Sequence, residues 1–281
     1  MINKILIVGL GLIGGSYACK LKEVGYEVGC ITLNQEDIDY AIKNNIVDHG
    51  QVEVTKEYIS QFNLVVFALY PSIFVEWMKK YYDFFQKGTI ITDVTGVKKN
   101  IVSEIQEMLK ERNVEFIGAH PMAGREVNGV KNATKDLFLG ANYLITPTSM
   151  NSQKAIDISK KLAEDLGFAN ISILSIDEHD EMIAFLSQLT HCIAISLMTC
   201  KDSESLRRYT GDSFRDLTRI AKINEDMWSE LFMLNREFLL EQMELFDQQF
   251  TLLKDAIKNN DINFLKTMMR MSTKQRIKFD K

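Results

Sequence analysis

Gly9-Leu10-Gly11-Leu12-Ile13-Gly14 stands directly after the apolar run Lys4 to Val8 and opens a stretch of helical periodicity, Leu12 to Val24. Glycines spaced in this way between a strand and a helix let the backbone turn tightly, approach a pyrophosphate closely and pack helix on strand, while the helix N-terminus offers amide donors to the phosphates. Gly9, Gly11 and Gly14, with the amides of Leu12 and Ile13, are therefore candidate dinucleotide-binding residues. An acidic residue that grips the adenosine ribose is expected at the end of the second strand. That place holds Thr32, followed by Leu33-Asn34-Gln35, with Glu36 and Asp37 one step too late. No arginine stands nearby for a 2′-phosphate, so the cofactor reads as NAD or NADP, with NAD slightly preferred and Thr32 as the ribose contact.

The fingerprint sits in a repeating context. Lys4 to Val8, Glu27 to Thr32, Leu64 to Leu69, Thr89 to Thr92, Val114 to Ile117, Tyr143 to Thr146 and Ile171 to Leu174 predict strands. Leu12 to Val24, Glu36 to Asn44, Ser72 to Phe85, Lys98 to Lys110 and Ser152 to Leu166 predict helices between them. This alternation is that of an α/β, doubly wound, mostly parallel sheet. After Ser175, Asp177-Glu178-His179-Asp180-Glu181 reads as the acidic first turn of a helix, and only helices are expected beyond it. The chain thus divides into a Rossmann-type dinucleotide-binding domain, 1–175, and an all-helical C-terminal substrate and dimerisation domain, 176–281. Leu231-Phe232, Phe238-Leu239, Leu245-Phe246 and Leu252-Leu253 recur every seven residues as the seam of one long helix. Such a seam fits packing within its own domain and a homodimer interface equally. The basic tail from Lys266 to Lys281 is expected to fray.

With 46% hydrophobic and 25% charged residues the chain reads as a folded globular protein, and its net charge of -5 supplies no basic field for nucleic acid. Cys19, Cys30, Cys192 and Cys200 form no Cys-x-x-Cys pair and read as buried thiols of a reducing cytoplasm. The four histidines show no paired ligand spacing, so no metal site is expected. The glycines that interrupt the N-terminal apolar run favour strand-turn-helix over a signal peptide, and no other apolar run is expected to reach the roughly 18 residues of a membrane span.

Gly118-Ala119-His120-Pro121-Met122-Ala123-Gly124-Arg125-Glu126 reads as a Gly/Pro-punctuated loop that holds one histidine still. A fixed neutral imidazole beside a nicotinamide can accept the proton of an alcohol whose carbon loses hydride, so fingerprint and histidine together point to an oxidoreductase.

Further segments follow in order: Asp93-Val94-Thr95-Gly96-Val97-Lys98, Ser187-Gln188-Leu189-Thr190-His191, Gly211-Asp212-Ser213-Phe214-Arg215-Asp216-Leu217-Thr218-Arg219-Ile220-Ala221 and Met227-Trp228. With them the chain resembles prephenate dehydrogenase over essentially its full length. The resemblance implies NAD(P)-dependent oxidative decarboxylation of prephenate to 4-hydroxyphenylpyruvate, a step towards tyrosine. It makes His120 the catalytic histidine that takes the ring-hydroxyl proton, and Arg219, with Arg215 in the same segment, a cation for substrate carboxylate. His191 falls at a second site histidine, Trp228 at a tryptophan near the substrate pocket, and Glu126 at an acidic residue that shapes or gates it. Where the family commonly reads Gly-Ser before Val-Lys, this chain has Thr95-Gly96, so Thr95 is the candidate for the serine's orienting role. Gln188 and Thr190 replace a common histidine and proline, and Gly211-Asp212-Ser213 replaces a triple glycine. His179 is read as structural. Arogenate dehydrogenase, with the same chemistry on the amino analogue, is the nearest rival. A non-catalytic nicotinamide-binding sensor and another hydroxyacid dehydrogenase, whose lysine would be Lys201, stand further off. No fused chorismate mutase or regulatory domain is expected after the helices.

Overall fold

Strand β1 (Lys4–Val8) shows why this sequence makes a buried sheet. Ile5 and Ile7 pack into one hydrophobic layer and Leu6 and Val8 into the other, all nearly inaccessible to solvent. Burying each such side chain contributes about 1.5–3 kcal/mol, and a strand apolar on both faces is stable only with helices on both sides. In the computed structural model, which describes residues 2–125, 127–201 and 204–279 without the side chains of 204 and 205, those helices are present.

The chain continues through α1 (Leu12–Val24), β2 (Glu27–Ile31), α2 (Gln35–Lys43), β3 (His49–Gln51), α3 (Lys56–Ile59), β4 (Leu64–Phe67), α4 (Pro71–Tyr81), β5 (Ile90–Asp93), α5 (Lys99–Leu109), β6 (Glu115–Met122), β7 (Asn142–Thr146), α6 (Gln153–Leu166) and β8 (Asn170–Ile173). The strands form one sheet in the order β3-β2-β1-β4-β5-β6-β7-β8, and only the β6–β7 pairing is antiparallel. The first six positions are the doubly wound order, whose strand direction of growth reverses beside β1, at the carboxyl end where the glycine turn lies.

Two sheet features depart from the sequence reading. Strand β3 was not expected: it is three half-buried residues at the sheet edge, too short and polar to show alternation. The segment Gly118 to Met122, expected as a loop, is the second half of β6. It pairs with β7, His120 opposite Leu144 and Pro121 opposite Tyr143, after the pairing with β5 has ended at Ile117. A strand paired on one side tolerates a proline that lacks an N–H.

Beyond β8, α7 (Ile176–Ile183) starts where the acidic first turn predicts, and Ser175 caps it in a reciprocal capping box with Glu178. A π-helical turn, Ala184–Leu189, joins α7 to α8 (Thr190–Thr199). This continuous helix, Ile176–Thr199, has the length and apolar composition of a membrane span, with mean hydropathy 1.5, contrary to the expectation that no run did. Its inner face nevertheless carries buried His179, Asp180 and Gln188, all bonded to other parts of the fold. Then come α9 (Asp212–Thr218), α10 (Glu225–Leu234), α11 (Arg236–Lys258) and α12 (Ile262–Arg276), with no strand among the described residues.

The expected single long helix is in fact two. Asn235, at φ -117° and ψ 25°, separates α10 from α11, so Leu231-Phe232 lies on a different helix from the rest of the seam. Leu231 and Leu239 pack inward, whereas Leu245, Phe246 and Leu252 are exposed. The tail, expected to fray, is helical through Arg276 and continues as a 3-10 turn to Phe279. All four cysteines are free, but only Cys30 is fully buried, its thiol pushed up to about 12 by burial. Cys200 is exposed rather than buried as expected.

Candidate active site

At the β1–α1 turn each glycine answers a different steric demand. Gly9 has φ +96°, and a Cβ there would lie 2.4 Å from the Ala68 carbonyl oxygen. A Cβ on Gly14 would lie 2.0 Å from the Gly9 carbonyl oxygen, so this glycine sets the distance between strand and helix. Gly11 differs: a Cβ there meets no atom within 4 Å. It is the N-cap of α1 and supplies no side-chain cap, and no acidic residue occupies the first turn. The amides of Leu12, Ile13 and Gly14 thus head a helix whose open side accommodates an anionic group, as a dinucleotide pyrophosphate requires. Thr32 directly follows β2, its amide bonded to the Gln51 carbonyl, beside the exposed Leu33. The residues present fit a dinucleotide.

His120 lies near the carboxyl end of β6, partly open to solvent, and its Nδ1 is 3.0 Å from Nε2 of His179 on α7. His179 Nδ1 is 2.7 Å from Oδ1 of Asp180. The Asp180 carboxylate also accepts the backbone amides of Lys98, at 2.9 Å to Oδ1, and Lys99, at 2.8 Å to Oδ2, capping the N-terminus of α5. These contacts assign the tautomers. A carboxylate only accepts, so His179 donates from Nδ1 and, when neutral, accepts at Nε2. His120 must then donate from Nδ1, which leaves its Nε2 as a lone pair.

Burial, first, and then the neighbouring His179 and Lys98 push the His120 imidazole well below its ordinary range. His179 is also lowered, chiefly by burial, with the Asp180 bond opposing. Both rings are therefore neutral at neutral pH.

Under this pair lies a second charged group. Lys98, fully buried, donates from Nζ to Asp93 Oδ2 at 2.6 Å and to Thr95 Oγ1 at 3.0 Å. Thr95 donates a short bond to Asp93 Oδ2, and Asp93 Oδ1 accepts the Ala119 amide at 3.0 Å, next to His120. Burial pushes the Lys98 ammonium down, with Asp93 opposing. The Thr95 hydroxyl is thus turned into the Asp93–Lys98 pair. Gly96 is the loop residue that faces His120: a Cβ on it would be 3.9 Å from His120 Cε1 and 3.6 Å from a Leu231 methyl of α10.

The helical half supplies an aromatic wall. The His191 ring stacks on Trp228 with centroids 3.6 Å apart, and His191 Nδ1 bonds the Ser187 carbonyl of the π-helical turn at 2.8 Å. Arg219 is exposed on a 3-10 turn, Arg219–Ala221, that packs against α8, the helix of His191. Arg215 is held on the exposed surface of α9, with Nη2 bonded to Asp212 at 2.7 Å. Glu126 lies outside the described residues. The fold therefore gathers His120, the Thr95–Gly96 loop and α10 in one place and pairs His191 with Trp228, while Arg215 is engaged elsewhere. His179, which the sequence reading left structural, and Asp180 of the acidic first turn join the site.

A doubly wound sheet with a glycine-lined helix N-terminus and an oriented neutral imidazole at the carboxyl ends of its strands defines a dinucleotide-dependent oxidoreductase. The family model for the prephenate dehydrogenase nucleotide-binding domain matches residues 17–171, and that for the prephenate dehydrogenase dimerization domain matches residues 175–271. The chain belongs to the prephenate dehydrogenase family. It is similar to prephenate dehydrogenase of Lactococcus lactis subsp. cremoris, 33% identical over 251 residues that make up 87% of this chain and 68% of that one. Among solved structures it is similar to prephenate dehydrogenase from A. aeolicus in complex with hydroxyphenyl propionate and NAD+. That similarity has a TM-score of 0.90 and 28% identity, over 100% of this chain and 99% of the other. Synechocystis arogenate dehydrogenase shares the fold, with a TM-score of 0.85 at 23% identity over 99% and 100% of the two chains.

Proposed function

We propose that the chain catalyses NAD(P)-dependent oxidative decarboxylation of prephenate to 4-hydroxyphenylpyruvate, with His120 as the base. The observation that carries this reading is the Asp180–His179–His120 relay, which presents a neutral Nε2 at the strand ends. The ring hydroxyl of the substrate donates to that nitrogen. As hydride leaves the hydroxyl-bearing carbon, His120 takes the hydroxyl proton; carbon dioxide then leaves the opposite ring carbon, its electron pair aromatises the ring, and the phenolate oxygen so formed recovers the proton from His120. The positive charge formed there is met through His179 by the Asp180 carboxylate. A bound nicotinamide supplies the hydride acceptor. Aromatisation provides the drive, so the residues chiefly align and polarise. Arg219 is assigned a substrate carboxylate, for which a planar guanidinium suits, and the His191–Trp228 stack a wall of the ring pocket. Thr95 acts through Asp93 and Lys98 as a positioning residue.

The domain division falls at Ser175, and the partner is a second copy of this chain. Exposed Leu240, Leu245, Phe250 and Leu252 on α11, with Met269 on α12, give that copy an apolar surface within the region matched by the dimerization-domain model. NAD is the preferred cofactor, because no cation stands at residues 32–35 to hold a 2′-phosphate and the similar A. aeolicus structure holds NAD+. Four free cysteines suit the cytoplasm.

Initial rates with prephenate and arogenate, each with NAD and NADP, test the assignment. Prephenate with NAD is expected to be fastest, and a preference for arogenate would move the substrate to the amino analogue. The kcat/KM profile is expected to stay flat from pH 8 down past the ordinary imidazole pKa of about 6.5, falling only in more acid solution. Protonation destroys the base, and a lowered pKa moves that loss to lower pH; half-loss near neutrality would contradict it. Gly11→Ala is expected to leave the melting temperature unchanged and weaken dinucleotide binding about tenfold or more, the equivalent of one charge-assisted hydrogen bond. Gly14→Ala instead forces strand and helix apart and is expected to cost roughly 1–3 kcal/mol of stability. Calorimetry beside dinucleotide titration separates the two.

A further inference from the structure

The polar residues where α7, the π-helical turn, α10 and α11 meet form a closed set of bonds. Asn235, almost wholly buried, donates both amide hydrogens, one to the main-chain carbonyl of Asp180 at 2.9 Å and one to Gln188 Oε1 at 2.8 Å. Gln188, equally buried, returns its own amide to the Leu231 carbonyl at 2.9 Å. Asn235 is also the residue that ends α10 and starts α11.

Each end of this clamp reaches the site by a different route. Through the Asp180 main chain it holds the residue whose carboxylate orients His179 and hence His120. Through Leu231 it holds α10, whose Leu231 methyl lies against Gly96 and whose Trp228 stacks on His191. Gln188 belongs to the π-helical turn, and that turn's Ser187 carbonyl receives His191 Nδ1. π-helical turns inside α-helices occur frequently at functional sites because they displace side chains and free carbonyls that regular winding would use.

We propose that Asn235 and Gln188 are positioning residues that lock the helical half of the molecule to the His120–His179–Asp180 relay. The inference rests on the proposed role of His120. Neither residue touches the reacting atoms. Their contribution is to fix the height of α7 relative to α10, so that the imidazole and the aromatic wall keep one mutual geometry. An amide pair suits this task because it satisfies two buried carbonyls without adding charge beside Lys98, Asp93, Asp180 and His179, the charged and titratable groups that surround His120 from β5, the α5 N-terminus and α7.

Asn235→Ala and Gln188→Met test the proposal in the full-length chain, read by dinucleotide binding, by the nitrogen-15 NMR titration of His120 and by steady-state rates. Both variants are expected to bind dinucleotide as the wild type does. In both, the His120 pKa is expected to rise towards its ordinary value as water reaches the loosened relay, with kcat falling roughly ten- to a hundredfold, the scale of a small misplacement of a reacting group. The double variant is expected to lose no more than the worse single one, since either change opens the same clamp. A lowered melting temperature with His120 titration and kcat unchanged would overturn the proposal, as would single effects that multiply in the double variant. If Asn235→Ala does not fold, Gln188→Met, which keeps the side-chain volume, decides the matter alone. The NMR titration needs no turnover. A wild type that fails to oxidise prephenate therefore defeats the functional reading without deciding this one.

Discussion

Replacing His120 with asparagine is expected to lower kcat by about 10²–10⁴-fold, the usual contribution of a positioned general base. Asparagine can still donate an amide hydrogen towards His179 Nε2, so the relay keeps a partner and the fold is expected to persist. What disappears is the basic Nε2. Dinucleotide binding at the β1–α1 turn is expected to be unchanged, because that turn lies on the other side of β4 and β5 from β6. Stopped-flow measurement of the first turnover reads the effect at the chemical step. A variant that turns over at the wild-type rate would show that another group takes the proton.

The second large effect falls on stability. Lys98→Met is expected to cost about 3 kcal/mol, the low end for breaking a buried ion pair, or roughly 6–12 °C in Tm. The low end applies because Asp93 would keep amide donors from Thr95 and Ala119. The loss comes from leaving a carboxylate buried without its cation. Adding Asp93→Asn should therefore recover much of it, since a neutral pair avoids that penalty. Thermal melts of the two singles and the double check this, and simple additivity would contradict it. The same change reaches the site. The Lys98 ammonium is one of the groups that hold His120 low. Its removal is expected to raise the His120 pKa, moving the acid limb of the rate profile to higher pH.

What the sequence made legible divides along physical lines. The glycine turn, the alternating runs and the acidic helix start after Ser175 are local, each fixed by residues within a few positions of one another, and each forms where expected. Strand β3 was hidden because its pairing with β2, and not its composition, makes it a strand. The break at Asn235 was hidden for a similar reason: the heptad of apolar doublets runs through it, while the bonds that hold it come from Asp180 and Gln188, about fifty residues away in the chain.

His179 is the instructive miss. Its place beside an acidic helix start gave it a merely structural look. Yet Ile176, His179, Asp180 and Ile183 follow the spacing of one helical face, and a His-Asp pair between two isoleucines on that face implies a buried polar group with a distant partner. That partner, His120, is 59 positions earlier, which helical periodicity cannot reveal. Thr95 illustrates the reverse: its residue type suited an orienting role, but backbone geometry turned the hydroxyl towards Asp93 and presented Gly96 to the imidazole instead.

In the proposed reaction hydride leaves the hydroxyl-bearing ring carbon of prephenate while His120 takes the hydroxyl proton. Prephenate deuterated at that carbon, incubated with NAD and the purified protein, tests it most directly by mass spectrometry of the recovered dinucleotide. One deuterium is expected in each reduced dinucleotide, formed in step with 4-hydroxyphenylpyruvate and carbon dioxide. Unlabelled dinucleotide, or none reduced by protein that binds NAD, would contradict it.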